Sequence, residues 1–179
     1  MTQRKYALEL ASETGLGGAE LVNTPLELNN KLTSVQYSEL VPCSRTKNDE
    51  LLMDPSQYQI LVGKLLYLTM TRPDLEFTAQ ILSQIMHSPK QSHLEASLRV
   101  VRYIEEAPGL GILMPTEETT QLTTYCDLDW GACLETRKSV TCYLVKFGGG
   151  LISWKYKKQG TVTTSSAEAE FRSMDACAA

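Results

Sequence analysis

Four acids near the C-terminus are spaced as ligands of a divalent cation would be. Asp127 and Asp129 fall in Tyr125-Cys126-Asp127-Leu128-Asp129-Trp130, at the end of a segment patterned as a strand. Glu168 and Glu170 fall in Ser165-Ser166-Ala167-Glu168-Ala169-Glu170, in the first turns of a segment patterned as a helix. Carboxylates from two such elements can share a hard ion such as Mg²⁺, which takes few protein oxygens and keeps waters for chemistry on phosphates. On a helical wheel Glu168 and Glu170 flank the apolar stripe on opposite sides, so amphipathicity alone does not choose between them. Capping does. With Ser165 as N-cap, Glu168 occupies the capping-box position and is used in reaching back to the Ser165 amide, which leaves Glu170 free. Asp127 is the strand-end candidate, with Asp129 competing for the role. The rest of such a site is expected beyond Ala179.

The elements that position these acids are a run of strands and a helix. After Thr116 the apolar period drops from 3.6 to 2. Leu122–Cys126, Val140–Val145 and Leu151–Trp154 alternate and are rich in β-branched and aromatic residues, and Gly148-Gly149-Gly150 joins the last two as a hairpin. A fourth apolar-threonine segment, Thr161–Thr164, precedes the helix, whose core stripe is expected to be Ala167, Phe171, Met174 and Ala178.

The first 115 residues read as mostly helical. Thr2 is the expected cap of a helix through Tyr6, Leu10 and Ala11 that stops near Gly15. A polar stretch from Asn23 to Asp49, containing Pro42, reads as a linker. Asp54-Pro55-Ser56-Gln57 opens a helix with Tyr58, Leu61, Val62 and Leu65 on one face. Thr71-Arg72-Pro73-Asp74 opens another, with Leu75, Ala79, Leu82 and Met86, ended by Ser88-Pro89. Ser92-x-x-Glu95 opens a third through Leu94, Leu98, Val101 and Ile104, closed by Pro108-Gly109. Their short links suggest an antiparallel helical unit.

Composition is that of an ordinary folded chain, with 42% hydrophobic and 21% charged residues in 179. No apolar run is long enough for a membrane span and Met1-Thr2-Gln3-Arg4-Lys5 does not lead into a signal core, so an intracellular setting is expected, cytoplasm and nucleus undistinguished. The five cysteines, Cys43, Cys126, Cys133, Cys142 and Cys177, show no Cys-x-x-Cys spacing and read as small buried or semi-buried thiols. His87 and His93 sit at helix boundaries, where capping or surface roles fit better than catalysis. The net charge of −4 conceals a wholly basic tract from Arg137 to Lys158. There Lys155, Lys157 and Lys158 interleave with Trp154 and Tyr156, a mixture suited to a phosphate backbone and also to a solvated sheet face.

Several segments together resemble copia-type LTR retrotransposon Pol polyproteins. They are Tyr58-Gln-x-Leu-Val-Gly-Lys-Leu-x-Tyr-Leu-Thr-x-Thr-Arg-Pro-Asp74, Met86-His-Ser-Pro89, His93-Leu-Glu-Ala96, Ile152-Ser-Trp-Lys155, Ser165-Ser-Ala-Glu-Ala-Glu170 and Gln3-Arg-Lys-Tyr-Ala-Leu8, in collinear order over nearly the whole chain. The resemblance implies an α+β chain: an N-terminal helical, thumb- or connection-like region followed by an incomplete ribonuclease H-like β-β-β-α unit. Its parts would be a helix from the reverse transcriptase tail over 1–22, a linker over 23–53, a three-helix connection region over 54–116 and a truncated ribonuclease H-like domain over 119–179. It makes Asp127 and Glu170 the catalytic and metal-binding pair, with Mg²⁺, or alternatively Mn²⁺, as the cofactor. It also puts two further acids after Ala179 and the polymerase aspartates before Met1, so metal binding is expected to be weak and the chain inactive alone. The partners implied are an RNA–DNA hybrid or another nucleic acid and the rest of the Pol polyprotein, with no membrane. A non-catalytic nucleic-acid-binding remnant and an inert product of a decayed element are the alternatives.

Overall fold

Apolar residues at helical spacing need a common surface to bury against, and the N-terminal part of the chain supplies one from several helices. The computed structural model describes residues 1–27, 32–40, 49–116 and 120–178. Cys43 and Pro42 lie outside them. Two compact units result, Thr2–Gly111 and Ile112–Ala179, the second including Met1. Among the described residues no helix is long and apolar enough to cross a membrane.

The first unit contains α1 (Arg4–Glu13), α2 (Val35–Leu40), α3 (Ser56–Leu68), a 3-10 turn (Pro73–Leu75) running into α4 (Glu76–Ser83), and α5 (Gln91–Glu106). Helix α2 lies within the stretch read as linker. The core is built from Ala7, Leu10 and Ala11 of α1, Tyr58, Leu61, Val62, Leu65 and Leu68 of α3, Leu75, Ala79 and Leu82 around α4, and Ala96, Val100, Val101 and Ile104 of α5. Most expected core positions are therefore filled as the spacing demands, with Leu94, Leu98 and Met86 only partly buried against that core. The Tyr58 hydroxyl, fully buried, donates to the Leu82 carbonyl at 2.8 Å, so this polar atom loses no hydrogen bond on leaving water.

Helix ends depart from the local capping patterns. Thr2 does not cap α1: its hydroxyl donates to the Gly109 and Leu110 carbonyls instead. Helix α5 starts one residue before Ser92, after Lys90, whose backbone N–H donates to His93 Nδ1 at 3.1 Å. Ser92 is not the cap. Its N–H and hydroxyl both donate to the Asp49 carboxylate, at 3.0 and 2.7 Å, so an acid from a distant segment satisfies this helix end. The chain around Asp49 is held there by Gln91 N–H to Glu50 O, Leu52 N–H to Pro89 O and a bridge pairing Leu51 with Lys90. Asp54 accepts from the Ser56 N–H at 2.9 Å, but it stands one residue before the N-cap of α3, Pro55, which has no side-chain cap.

The second unit is a three-stranded antiparallel meander of β1 (Leu122–Asp129), β2 (Val140–Phe147) and β3 (Gly150–Lys158), followed by α6 (Ser166–Ala178). The fold class is α+β. Among the described residues strand β1 is an edge, paired with β2 alone, in a register that sets Asp127 opposite Cys142 and Leu128 opposite Thr141. Gly148 turns the β2–β3 hairpin at φ 56°, a left-handed conformation that glycine adopts without strain. The apolar-threonine segment Thr161–Thr164 adds no strand to the sheet. Thr163 is instead buried with its hydroxyl 3.3 Å from that of Ser139, which also accepts from the Gly131 N–H.

Helix α6 is seated the other way round from its apolar pattern. Its buried residues are Ala169 and Ser173, while Phe171 and Met174 are 72% and 53% exposed and Ala167 and Ala178 also face solvent. Small side chains at i and i+4 let the helix axis lie close to the sheet. The Gln159 amide then fixes it, donating to both Thr141 Oγ1 and the Ala169 carbonyl at 3.1 Å.

Candidate functional site

The N-terminus of α6 divides its two glutamates between structure and solvent. The Glu168 N–H donates to Ser165 Oγ at 3.2 Å, the N-cap bond expected from the sequence. The Glu168 carboxylate reaches back one residue further than a capping box does, accepting from the Thr164 N–H and hydroxyl, and it also takes Arg172 Nη2 at 2.9 Å. The backbone bond from Thr164 is the main reason its carboxyl is held below the ordinary glutamate value, with the Arg172 charge adding to it.

Among the described residues the Glu170 side chain makes no hydrogen bond or ion pair. At about 100° per residue it sits roughly 80° from the mid-line of Ala169 and Ser173, against about 120° for Glu168, so it borders the seated face of the helix. Ser173, one turn further on, directs its hydroxyl to the Asp127 carbonyl at 3.4 Å. Helix α6 is thus moored to β1 at the residue singled out from the sequence.

Alternation along β1 then decides where the acids point. Thr141 faces α6 through Gln159, and its cross-strand partner Leu128 shares that face, as does Cys126 two residues away. Asp127 and Asp129 leave the strand on the other face, with Cys142 and Tyr156. Burial, reinforced by the negative charges of Asp129, Cys142 and Cys133 on that side, pushes the Tyr156 hydroxyl up to about 12. Asp127 and Glu170 are both exposed, and the elements that carry them meet at the Ser173 bond to the Asp127 carbonyl. Among the described residues no group of three or more His, Cys, Asp or Glu side chains gathers as metal ligands. Carboxylate oxygens are donors of the kind Mg²⁺ takes, and the described residues gather no third ligand beside them.

The basic tract is divided between the same two faces. Lys155 and Lys157, opposite Tyr143 and Thr141, are exposed on the α6 face, whereas Lys158, opposite Val140, lies on the acid face with its Nζ 3.8 Å from Cys133 Sγ. Of the thiols described, Cys133, Cys142 and Cys177 are half-buried as expected, but Cys126 is exposed because β1 is an edge strand. His93 is fully buried and serves the α5 N-terminus, remote in sequence from the acids. Sequence reasoning missed Ser173 and Gln159, the residues that set the helix on the sheet. Only the alanine-serine pair at i and i+4 could have signalled them.

No family model and no solved structure matches the chain. Curated proteins do. It is 38% and 40% identical, over 97% of its length, to the retrovirus-related Pol polyproteins from transposons RE1 and RE2 of Arabidopsis thaliana. It is 31% identical, over 96% of its length, to the corresponding polyprotein from transposon TNT 1-94 of Nicotiana tabacum. The chain spans only 11% of the first two relatives and 12% of the third.

Proposed function

Since the chain belongs to the retrovirus-related Pol polyproteins of copia-type transposons, we propose that it holds the end of a reverse transcriptase segment followed by the opening β-β-β-α unit of a ribonuclease H-type domain. The parent activity is cleavage of the RNA strand in RNA–DNA hybrids, a reaction in which Mg²⁺, when bound, activates water and stabilises the leaving oxygen. The observation that carries this reading is the division of labour on α6. Glu168 is occupied by Thr164 and Arg172, which leaves the Glu170 side chain without a partner among the described residues, one turn before the Ser173 that touches the Asp127 backbone.

Asp127 and Glu170 are this chain's contributions to a metal centre that further acids of the polyprotein complete. With the two carboxylates on opposite sides of an edge strand and no third ligand gathered among the described residues, no catalytic step is assigned to the chain by itself. The test is cleavage of a labelled hybrid with Mg²⁺ or Mn²⁺ by this chain, by a version extended to a full ribonuclease H domain, and by Asp127→Asn and Glu170→Gln forms of the latter. The extended protein should cut and both variants should lose activity by at least about 100-fold, as when an essential metal ligand or its orienting partner is removed. Undiminished cleavage by either variant overturns the assignment. Cleavage by the short chain itself, stopped by either substitution, overturns the inferred need for further ligands.

The exposure of Lys155 and Lys157 on one face favours a second reading, binding of nucleic acid without cleavage. Hybrid binding that weakens steeply with salt and that Lys155→Ala and Lys157→Ala reduce, with no cut by the extended protein, would select it.

A further inference from the structure

The mooring of α6 on β1 brings two thiols to one place. Ser173 contacts the carbonyl of Asp127. Cys126 is the preceding residue and points to the α6 face with Leu128. Cys177 follows Ser173 by one helical turn on the same side of α6. The two cysteines thus flank the Ser173–Asp127 contact, Cys126 open to solvent and Cys177 half-buried. Burial is the main reason the Cys177 thiol is raised, and the charge of Cys126 adds to it.

We propose that Cys126 and Cys177 form a reversible disulfide that fastens the last turn of α6 to the edge strand. A disulfide needs Cα atoms within about 7 Å, and the last turn of a helix can shift to meet that requirement more easily than its middle. The oxidant is a small-molecule disulfide such as oxidised glutathione. The Cys126 thiolate, the more accessible of the two, attacks one of its sulfurs, breaking that S–S bond and expelling a glutathione thiolate. The Cys177 thiolate then attacks the Cys126 sulfur of the mixed disulfide and expels the second glutathione. Two protein thiols lose two electrons, the oxidised glutathione gains them, and the two protons end on glutathione. The bridge fixes the last turn of α6 against β1.

Cys133 is the competing thiol. Burial raises it, but hydrogen bonds from Thr136, the Lys158 charge and the Glu135 backbone outweigh burial and hold it below its ordinary value. The full chain should be equilibrated in glutathione buffers from fully reduced to fully oxidised, its free thiols alkylated, and its linkages mapped by mass spectrometry. The Cys133→Ser variant, in which Cys126 is the only thiol of its tryptic peptide, should be run in parallel. Oxidation should remove two of the five alkylatable thiols in the parent chain, with Cys126 linked to Cys177 in both proteins. Cys177→Ser should accumulate glutathione on Cys126. Linkage through other cysteines, or Cys126 and Cys177 both still alkylated in oxidised buffer, overturns the proposal.

Discussion

Removing Asp74 should cost the helical unit more than removing Arg72, although both substitutions break the same ion pair. The Arg72 side chain is 3% exposed and the Asp74 side chain 28%. Arg72 Nε lies 3.0 and 3.2 Å from the two Asp74 oxygens and Nη2 2.8 Å from Oδ2, while Nη1 donates to the Ala107 carbonyl at 2.9 Å and the guanidinium stacks 5.5 Å from the Tyr103 ring centre. Breaking a buried pair by deleting one member costs about 3–5 kcal/mol, most of it the charge left behind. Arg72→Met leaves a carboxylate that water reaches, and should fall near the lower figure, about 3 kcal/mol. Asp74→Ala leaves a cation that water does not reach, with one carbonyl and one ring for company, and should approach the higher, about 5 kcal/mol. A unit of this size is stable by roughly 5–15 kcal/mol, so the second variant stands near the edge of unfolding. Urea unfolding followed by circular dichroism at 222 nm measures both. Trp130 and Trp154, the chain's two tryptophans, lie in the sheet unit and serve as an internal control by fluorescence. Equal losses, or a greater loss for Arg72→Met, would refute the argument that the stranded charge sets the cost.

Two further outcomes concern α6. Ala169 has no exposed surface, so Ala169→Leu forces the helix off the sheet at a cost of about 1–3 kcal/mol, read as a lowered urea midpoint by tryptophan fluorescence, whereas Phe171→Ala, on the outer face, should change that midpoint little. Glu168 has its carboxyl depressed in the folded chain below the unfolded value of 4.5, so its contribution is complete above that pH and is lost as pH falls through the lower folded value. An acid titration of stability should accordingly be shallower for Glu168→Gln than for the parent chain below about pH 4.5, and parallel slopes would remove the role given to this side chain.

Much of the fold is legible because the signals are local. Period-2 alternation with Gly148-Gly149-Gly150 gives β2, β3 and their hairpin, and Tyr58, Leu61, Val62 and Leu65 give the buried face of α3. Ser165 and Glu168 give the start of α6. What stays hidden depends on partners far along the chain. Asp49 satisfies the end of α5 from 43 residues away, which no capping pattern contains. Thr163 finds Ser139 rather than a neighbouring strand. The orientation of α6 is misjudged because hydrophobicity ranks Phe171 and Met174 above Ala169 and Ser173, while close approach to a sheet selects for small size. The same logic bears on the acids. Type and spacing single them out, but the face on which Asp127 leaves the strand follows from register, and register is fixed by β2.

The meander has a kinetic consequence. Each strand of the second unit pairs with its nearest neighbour in sequence, so the loops that must close are short and little chain entropy is lost before contacts form. Such low contact order favours rapid assembly, with the hairpin of β2 and β3 on its glycine turn as the natural starting point and β1 adding next. Helix α6 then has a surface waiting for it. On a ribosome the sheet can be complete before Ser173 emerges, so docking of α6 is a step separate from assembly of the sheet.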